Sequence, residues 1–393
     1  MPAAGTDATF TSSDFPTNMS LFVSAYCGFA NLNCGQRPFA YTPPTGYKAL
    51  NTYNLTAPTI VDPSKHFDAR SGLSAQFTVN DINFEADLIV GKSTSNSEYW
   101  IWADAVRGFD KPLKSDTNTG EGSGDAYTSV GSSGYSSDSN WFTNGRTYTT
   151  WAWNAGSSTV TNNAGSIQSE VRASTTAGFS IVSYSGNSLN NSTIGHGLTG
   201  QTPKLIITKN RSDTYNWITY SEELAATKVL GLDGNWGSFT PSGGYYSNVG
   251  SSTYQVVQGS ADLTNLNNSG DDYVAYCWSE IPAYSRISSY TGNGEPIHST
   301  FVWCGFKPAF VMTKRYDTSE NWEVRDSTRD PNNPNNLALF PHTSGYEDTG
   351  VVNFDFLSNG FKLRNSNNST NANGGTYMFC AFAESPTNYS NAR

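Results

Sequence analysis

The chain has 393 residues, 14% of them charged and 36% apolar, with a formal net charge of −10; that length predicts two or more compact units with residues enough for real cores. An acidic chain with no block of consecutive Lys or Arg excludes a surface that tracks nucleic-acid phosphates, and 22 Tyr, 21 Phe and 10 Trp exclude a disordered chain. No apolar run approaches the roughly 18 residues of a membrane span, and the opening MPAAGTDATFTSSDF lacks the basic and apolar regions of a signal peptide, so the chain is expected to be soluble and not exported by the general secretory route.

Residues 1–60 differ in kind from the rest. CGQRPFAYTPPTGYKALNTYNL places aromatic residues around Pro43 and Pro44, and PTIVDPSK follows as a linker. The segment is too short for a core of its own and is expected to form an extended arm that docks on a neighbouring unit or another subunit, or trails.

Beyond the arm the chain repeats itself, which fixes its organisation better than length does. LIVGKSTSNSEYW (Leu88 to Trp100) aligns without a gap on LIITKNRSDTYNW (Leu205 to Trp217) and FVMTKRYDTSENW (Phe310 to Trp322). Each is an apolar strand, a Lys, a polar turn and a Trp. A second signature closes each copy: TYTTWAWNAG from Thr147, DYVAYCWSEIP from Asp272 and TYMFCAFAESP from Thr376. From Trp100 to Tyr148, Trp217 to Tyr273 and Trp322 to Tyr377 the spacings are 48, 56 and 55 residues, so the first copy is the shorter. FSIVSYSGNS from Phe179 also matches RISSYTGNG from Arg286. The expected repeats are 61–175, 176–282 and 283–393.

Within each repeat, runs such as KLIIT, AFVMT, YQVVQ and VVNFDF are rich in β-branched and aromatic residues and are parted by SGN, DGN, SNG and NPN turn signals. Only SEELAATKVLG (Ser221 to Gly231) has helix-like composition, about three turns at most; its counterpart DSTRDPNNPNN is barred from helix by its prolines. The fold is therefore expected to be all-β, three tandem β-sandwich-like repeats behind a short extended N-terminal arm.

The chemistry-bearing residues read mostly as architecture. Cys27, Cys34, Cys277, Cys304 and Cys380 are too few and scattered for a disulfide framework, and most are expected reduced. His66, His196, His298 and His342 show no metal-ligand or nucleophile spacing, and His196 and His298 fall in roughly equivalent loops, which favours a shared fold need. Glu280 and Glu384 likewise occupy one repeat position and are expected to hold a turn or a backbone amide. Asp271 with Asp272 is a poor dyad because neighbours on a strand face opposite ways. DPNNPNN and LDGNW could offer oxygens to calcium, but tight-turn chemistry accounts for both. No nucleotide motif occurs, and the N-x-S/T triplets at Asn18, Asn54, Asn210 and Asn388 follow from composition. No catalytic, cofactor-binding or metal-binding residue is assigned.

Aromatic residues divide into two sets. Trp100, Trp217 and Trp322, with Tyr148, Tyr273 and Tyr377, recur at fixed repeat positions and are expected to be core or inter-strand anchors. Trp236, Tyr245 and Tyr246 lie in DGNWGSFTPSGGYYSNVG, where rings on a loop can stack on a sugar or fill a partner pocket, or simply pin the loop. These three are the candidate ligand-binding residues.

At this point the residues suggest a family. GQRPFAYTPPTGYKAL (Gly35 to Leu50) resembles the closing strands of SPRY-type sandwiches in tailed-phage virion proteins. GHGLTGQTPKLIITKNRS (Gly195 to Ser212) and NGGTYMFCAFAESP (Asn373 to Pro386) resemble modules of marine and cyanobacterial phage structural proteins. The resemblance spans nearly the whole chain after Asn31, although only the tail of a SPRY-like unit is kept. It implies a non-enzymatic virion protein of a tail, baseplate or fibre, without cofactors, assembled in the host cytoplasm and exposed on the particle. Its implied partners are other virion proteins, further copies of itself in a homo-oligomer and a host-surface glycan, with no nucleic acid and no membrane span. The alternatives are a head-decoration protein, a carbohydrate-binding lectin, which predicts exposed aromatics in equivalent loops, and a polysaccharide depolymerase, which predicts a carboxylate dyad involving Glu222 or Glu223 in one cleft.

Overall fold

In the first repeat the apolar run before Lys92 becomes the inner strand of an antiparallel sheet. Its strands are β1 (Phe67–Ser74), β2 (Leu88–Ser93), β3 (Ile101–Asp104) and β4 (Thr147–Trp153), in the order β1-β4-β2-β3, with Gly108–Leu113 beyond β3. The second repeat supplies β5 (Phe179–Ser185), β6 (Leu205–Asn210), β7 (Ile218–Ser221) and β8 (Asp272–Trp278), and the third β9 (Ser285–Thr291), β10 (Phe306–Arg315), β11 (Trp322–Asp326) and β12 (Thr376–Pro386). Both repeat the same order, β5-β8-β6-β7 and β9-β12-β10-β11. Registers agree as well: Trp153 faces Leu88, Trp278 faces Leu205 and Phe382 faces Phe310. The computed structural model describes residues 58–258, 266–350 and 353–386. The N-terminal arm up to residue 57, Cys27, Cys34 and the sequons at Asn18, Asn54 and Asn388 lie outside the described residues.

Each larger sheet is faced by a three-stranded one from the same repeat. These are Thr78–Val79, Gly134–Ser137 and Tyr127–Gly131; Ser192–Gly195, Thr253–Gln258 and Gly244–Ser247; and Phe301–Trp303, Gly360–Leu363 and Phe354–Leu357. The protein is thus all-β, built from antiparallel sheets in sandwich-like pairs. No helix among the described residues is long and apolar enough to cross a membrane.

Strand periodicity explains why the inner strands are apolar without alternation. Ile89, Ile206 and Val311 turn one way; Ile89 and Ile206 enter the cores of their own repeats. Leu88 and Val90, Leu205 and Ile207, and Phe310 and Met312 turn the other way into one core shared by all three repeats. A strand buried on both faces has no polar side to show. In the shared core the equivalent residues of the closing strands meet, with the Trp153 ring 6.2 Å from Trp278 and 5.7 Å from Phe382. An apolar cavity of about 30 Å³ sits there, lined from every repeat by residues such as Val90, Trp151, Ile207, Trp278, Met312 and Cys380.

Two local expectations are corrected. SEELAATKVLG is not helical: Ser221 ends β7, Thr227 takes a φ of +70°, and Leu230–Gly231 pairs with β7 as a short strand. Leu224 and Leu230 are needed in the shared core while Val229 enters the second repeat's own core, and these demands override helix propensity. The expected division at residue 175 also moves. Strands Thr159–Asn162 and Ser169–Ser174, placed in the first repeat by sequence, pair onto β5 and extend the second sheet to seven strands. They cover the backbone edge of β5, whereas the equivalent edge of β1 in the first sheet pairs with no further strand among the described residues.

Candidate functional site

Three lysines at one repeat position make equivalent contacts. Lys92, Lys209 and Lys314 are fully buried. Each Nζ donates to the backbone carbonyl six residues on, Glu98 at 2.8 Å, Tyr215 at 2.8 Å and Glu320 at 2.6 Å. Each also donates to a carbonyl of a different repeat: Lys92 to Ser344 at 3.0 Å, Lys209 to Asn118 at 3.1 Å and Lys314 to Asn235 at 3.1 Å. A loop of the first repeat therefore holds the second, a loop of the second holds the third, and a loop of the third returns to the first. Burial pulls the ammonium pKa down to about 8 in Lys92 and Lys209 and to about 7 in Lys314. The converging carbonyls oppose that pull, because a protonated amine has three donors to give them.

The same three loops receive the repeated tryptophans. Nε1 of Trp100 donates to Phe340 O at 2.9 Å, that of Trp217 to Lys114 O at 2.9 Å and that of Trp322 to Gly231 O at 2.8 Å. Backbone bonds complete the clasp, from Glu121 N to Arg211 O (2.8 Å), Ser238 N to Tyr316 O (2.8 Å) and Glu347 N to Thr94 O (3.1 Å). Two clasps need glycine for close approach: a Cβ at Gly120 would stand 2.7 Å from Arg211 O, and one at Gly237 would stand 2.9 Å from the Thr318 carbonyl carbon. The repeated tyrosines act within their own repeats. The hydroxyls of Tyr148, Tyr273 and Tyr377 accept from the backbone N–H five residues upstream, at Thr143 (2.6 Å), Asn268 (2.8 Å) and Ala372 (2.8 Å). They pin the loop entering the closing strand, as tyrosine corners do in other sandwiches.

One set of buried charges escaped the sequence reading. Asp104 and Arg107 form an ion pair at 2.6 Å with both side chains fully buried. Asp104 Oδ1 accepts from the backbone of Val106 and Arg107, and Oδ2 accepts from the Tyr276 hydroxyl of the second repeat at 2.8 Å. Asp326 and Arg329 repeat the pair at 2.5 Å, with Trp151 Nε1 of the first repeat donating to Asp326 at 3.2 Å. The second repeat has Ser221 and Leu224 at these positions. The signal was a D-x-x-R whose Asp closes the third strand in two repeats of three.

The candidate ligand residues are not presented as one surface. Tyr246 is buried, its hydroxyl donating to Ile218 O at 3.2 Å, and cannot offer its ring to a ligand. Tyr245 beside it is partly buried against the second repeat's core. Trp236 is 42% exposed but lies over Gly231 and Gly234, where an added Cβ would meet its ring at 2.6 Å, within the clasp that holds the third repeat. Among the described residues, Tyr99, Phe301, Trp303 and Tyr346 are at least as exposed.

Three of the carboxylates named from sequence, Glu222, Glu280 and Glu384, are ion-paired. Lys204 Nζ lies 3.0 Å from Glu222 and 3.9 Å from Glu280, and Arg286 adds a bond to Glu280 at 2.6 Å. Glu223 points elsewhere, accepting a short bond from Ser289. Glu384 pairs with Lys307 at 2.7 Å. So Glu280 and Glu384 occupy one repeat position and each meets a cation, while Glu280 also lies 3.5 Å from the Ile287 amide. Lys307 and Glu384 line a cleft of about 320 Å³ between β1 and the β10–β12 edge, together with Asp68, Ser327 and Thr328. Asp68 is tied to Arg70 at 2.7 Å, and burial raises its pKa.

The histidines and cysteines are also accounted for. His196 is buried, with Nδ1 accepting from Leu198 N and Nε2 therefore donating to Gly250 O at 3.0 Å. His298 is exposed, so the two equivalent loops use their histidines differently. Cys277, Cys304 and Cys380 are free and buried, and burial pushes the Cys380 thiol up to about 12. His342 donates to Asn321 Oδ1 at 3.1 Å, and burial, with Lys314 nearby, pushes its pKa down to about 4. The unfolded imidazole titrates near 6.5, so the unfolded chain binds more protons between pH 6.5 and 4 and stability falls as pH drops through that window. His342→Gln is expected to remove about 3 kcal/mol of that acid-induced loss at pH 4; urea titrations of both proteins at pH 7 and pH 4 check it, since His66 and His196 are common to both.

No curated protein and no solved structure matches the chain. Residues 62–386, which carry all three repeats and their clasps, match the family described as Domain of unknown function (DUF7483), and the chain belongs to that family.

Proposed function

We propose that this chain is a non-enzymatic structural protein of a tailed-phage particle, a tail, baseplate or fibre component that contributes to attachment to the host surface. The observation that carries the reading is the use made of the repeated residues: Lys, Trp and Tyr of each copy hold loops and repeats in place. Such a body is suited to stiff spacing, with its outward side chains left for contact. The resemblance of Gly35–Leu50, Gly195–Ser212 and Asn373–Pro386 to phage modules supports the same reading. Further copies of the chain and other virion proteins are its proposed partners, since multivalency turns weak surface contacts into attachment.

The test has two arms. Mass spectrometry of density-banded particles of a phage encoding the chain is expected to find it in the particle; its absence there would overturn the virion role. Purified protein incubated with bacterial surface polysaccharides and whole cells is expected to be retained without new reducing ends. New reducing ends would overturn the non-enzymatic reading, and retention on no glycan and no cell would overturn the attachment role.

A further inference from the structure

On the small sheet of the third repeat, strand Phe301–Trp303 carries its apolar side chains outward. Phe301 is 44% and Trp303 55% exposed, while Val302 between them is buried. Alternate residues of a strand share a face about 7 Å apart, so the two side chains stand side by side. Among the described residues the strand is a sheet edge, paired only with Gly360–Leu363, and its register sets Lys362 opposite Phe301 and Gly360 opposite Trp303. A Cβ at position 360 would lie 2.1 Å from Val302 O. Glycine is therefore required there, and no side chain stands beside the indole on the neighbouring strand. The corresponding strands of the other repeats, Thr78–Val79 and Ser192–Gly195, carry no aromatic residue.

Cations frame these rings in an otherwise acidic chain. The Arg286 guanidinium lies 5.0 Å from the Trp303 ring centroid, with its Nε buried. Arg286 is steadied by Glu280 at 2.6 Å. Lys362, beside Phe301, has no acidic partner within ion-pair distance among the described residues. Beyond it, Asp355 is engaged by Arg364 at 3.2 Å. Arg286, Lys362 and Arg364 thus face two carboxylates that are both already paired.

Resting on the attachment reading above, we infer that the Phe301–Trp303 face binds a polyuronate, an acidic polysaccharide whose pyranose rings pack on the two aromatic rings while a carboxylate takes the ammonium of Lys362 and the Arg286 guanidinium adds positive charge beside the indole. Pyranose rings present apolar C–H faces, which suits side chains that are apolar yet half-exposed, and charge-assisted bonds to carboxylate supply the selectivity. A neutral glucan would leave the excess cation unanswered.

Affinity electrophoresis in alginate gels at low salt tests this, with dextran and dextran sulfate as comparison gels and light scattering to fix the oligomeric state. Wild type is expected to bind alginate at least tenfold more tightly than Trp303→Ala and Lys362→Glu, with both variants unfolding at the wild-type temperature because the sites are solvent-facing. Alginate binding unchanged in both variants, or dextran or dextran sulfate bound as well as alginate, overturns the inference. So does a wild-type oligomer that Trp303→Ala dissociates, which would make this face a contact between copies. If wild type is retained by cells or other glycans while Trp303 is irrelevant, only this inference fails; if nothing retains it, the attachment reading fails with it.

Discussion

Arg107→Leu is expected to destabilise the protein by about 3–5 kcal/mol, because it leaves the Asp104 carboxylate buried without its cation. The guanidinium also serves the Trp102 carbonyl and the Tyr276 hydroxyl at 3.3 and 3.2 Å, so the deletion strands more than one group. The second repeat shows how the position works without charge, with Ser221 accepting from Glu223 N at 3.3 Å and Leu224 entering the shared core. The double variant Asp104→Ser, Arg107→Leu copies that arrangement and is expected to recover most of the loss, since exchanging a whole buried pair costs far less than breaking one. Urea midpoints of parent, single and double variants measure this. A double variant no more stable than the single one would show that the first repeat requires the charge itself, through Tyr276 or the capped turn.

Lys314→Met is the second large effect, with an expected loss of at least about 3 kcal/mol. Its ammonium is shared by the carbonyls of Asn235, Arg315 and Glu320, and methionine fills the volume while satisfying none of them. Arg is not a substitute, because a planar fork cannot converge on oxygens arranged around a point charge. Damage should appear across the repeat boundary as well as at the mutation. Amide exchange of the second-repeat loop from Asp233 to Ser238 is expected to quicken, since Asn235 O and the Ser238 N–H bond to Tyr316 O belong to that clasp. A loss confined to the third repeat, with the 233–238 amides still protected, would mean that Lys314 only shapes its own turn.

Much of this was legible in the linear chain. Three copies, their order and their strand character follow from a gapless 13-residue alignment and from β-branched runs between turn signals, because strand periodicity and turn chemistry are local properties. That Lys and Trp recur was visible too. Their partners were not, since Lys314 meets Asn235 and Trp100 meets Phe340 across 79 and 240 residues, and nothing local in the sequence encodes such a pairing. Composition misled at Ser221–Gly231, where helix-forming residues serve two different cores. It misled again at Tyr246, which belongs to a strand whose alternate side chains turn inward.

Exposure was the other quantity that only the fold could supply. Phe301 and Trp303 read in sequence like any apolar strand pair; their edge position and the solvent on their outer face depend on Gly360 admitting a close strand. Sequence by itself determined the repeated unit, the all-β character and the residue types spent on holding it. Tertiary structure decided which repeat grips which, where the buried charges pair and which aromatic rings remain outside, because those outcomes depend on strand register and long-range packing rather than on near neighbours.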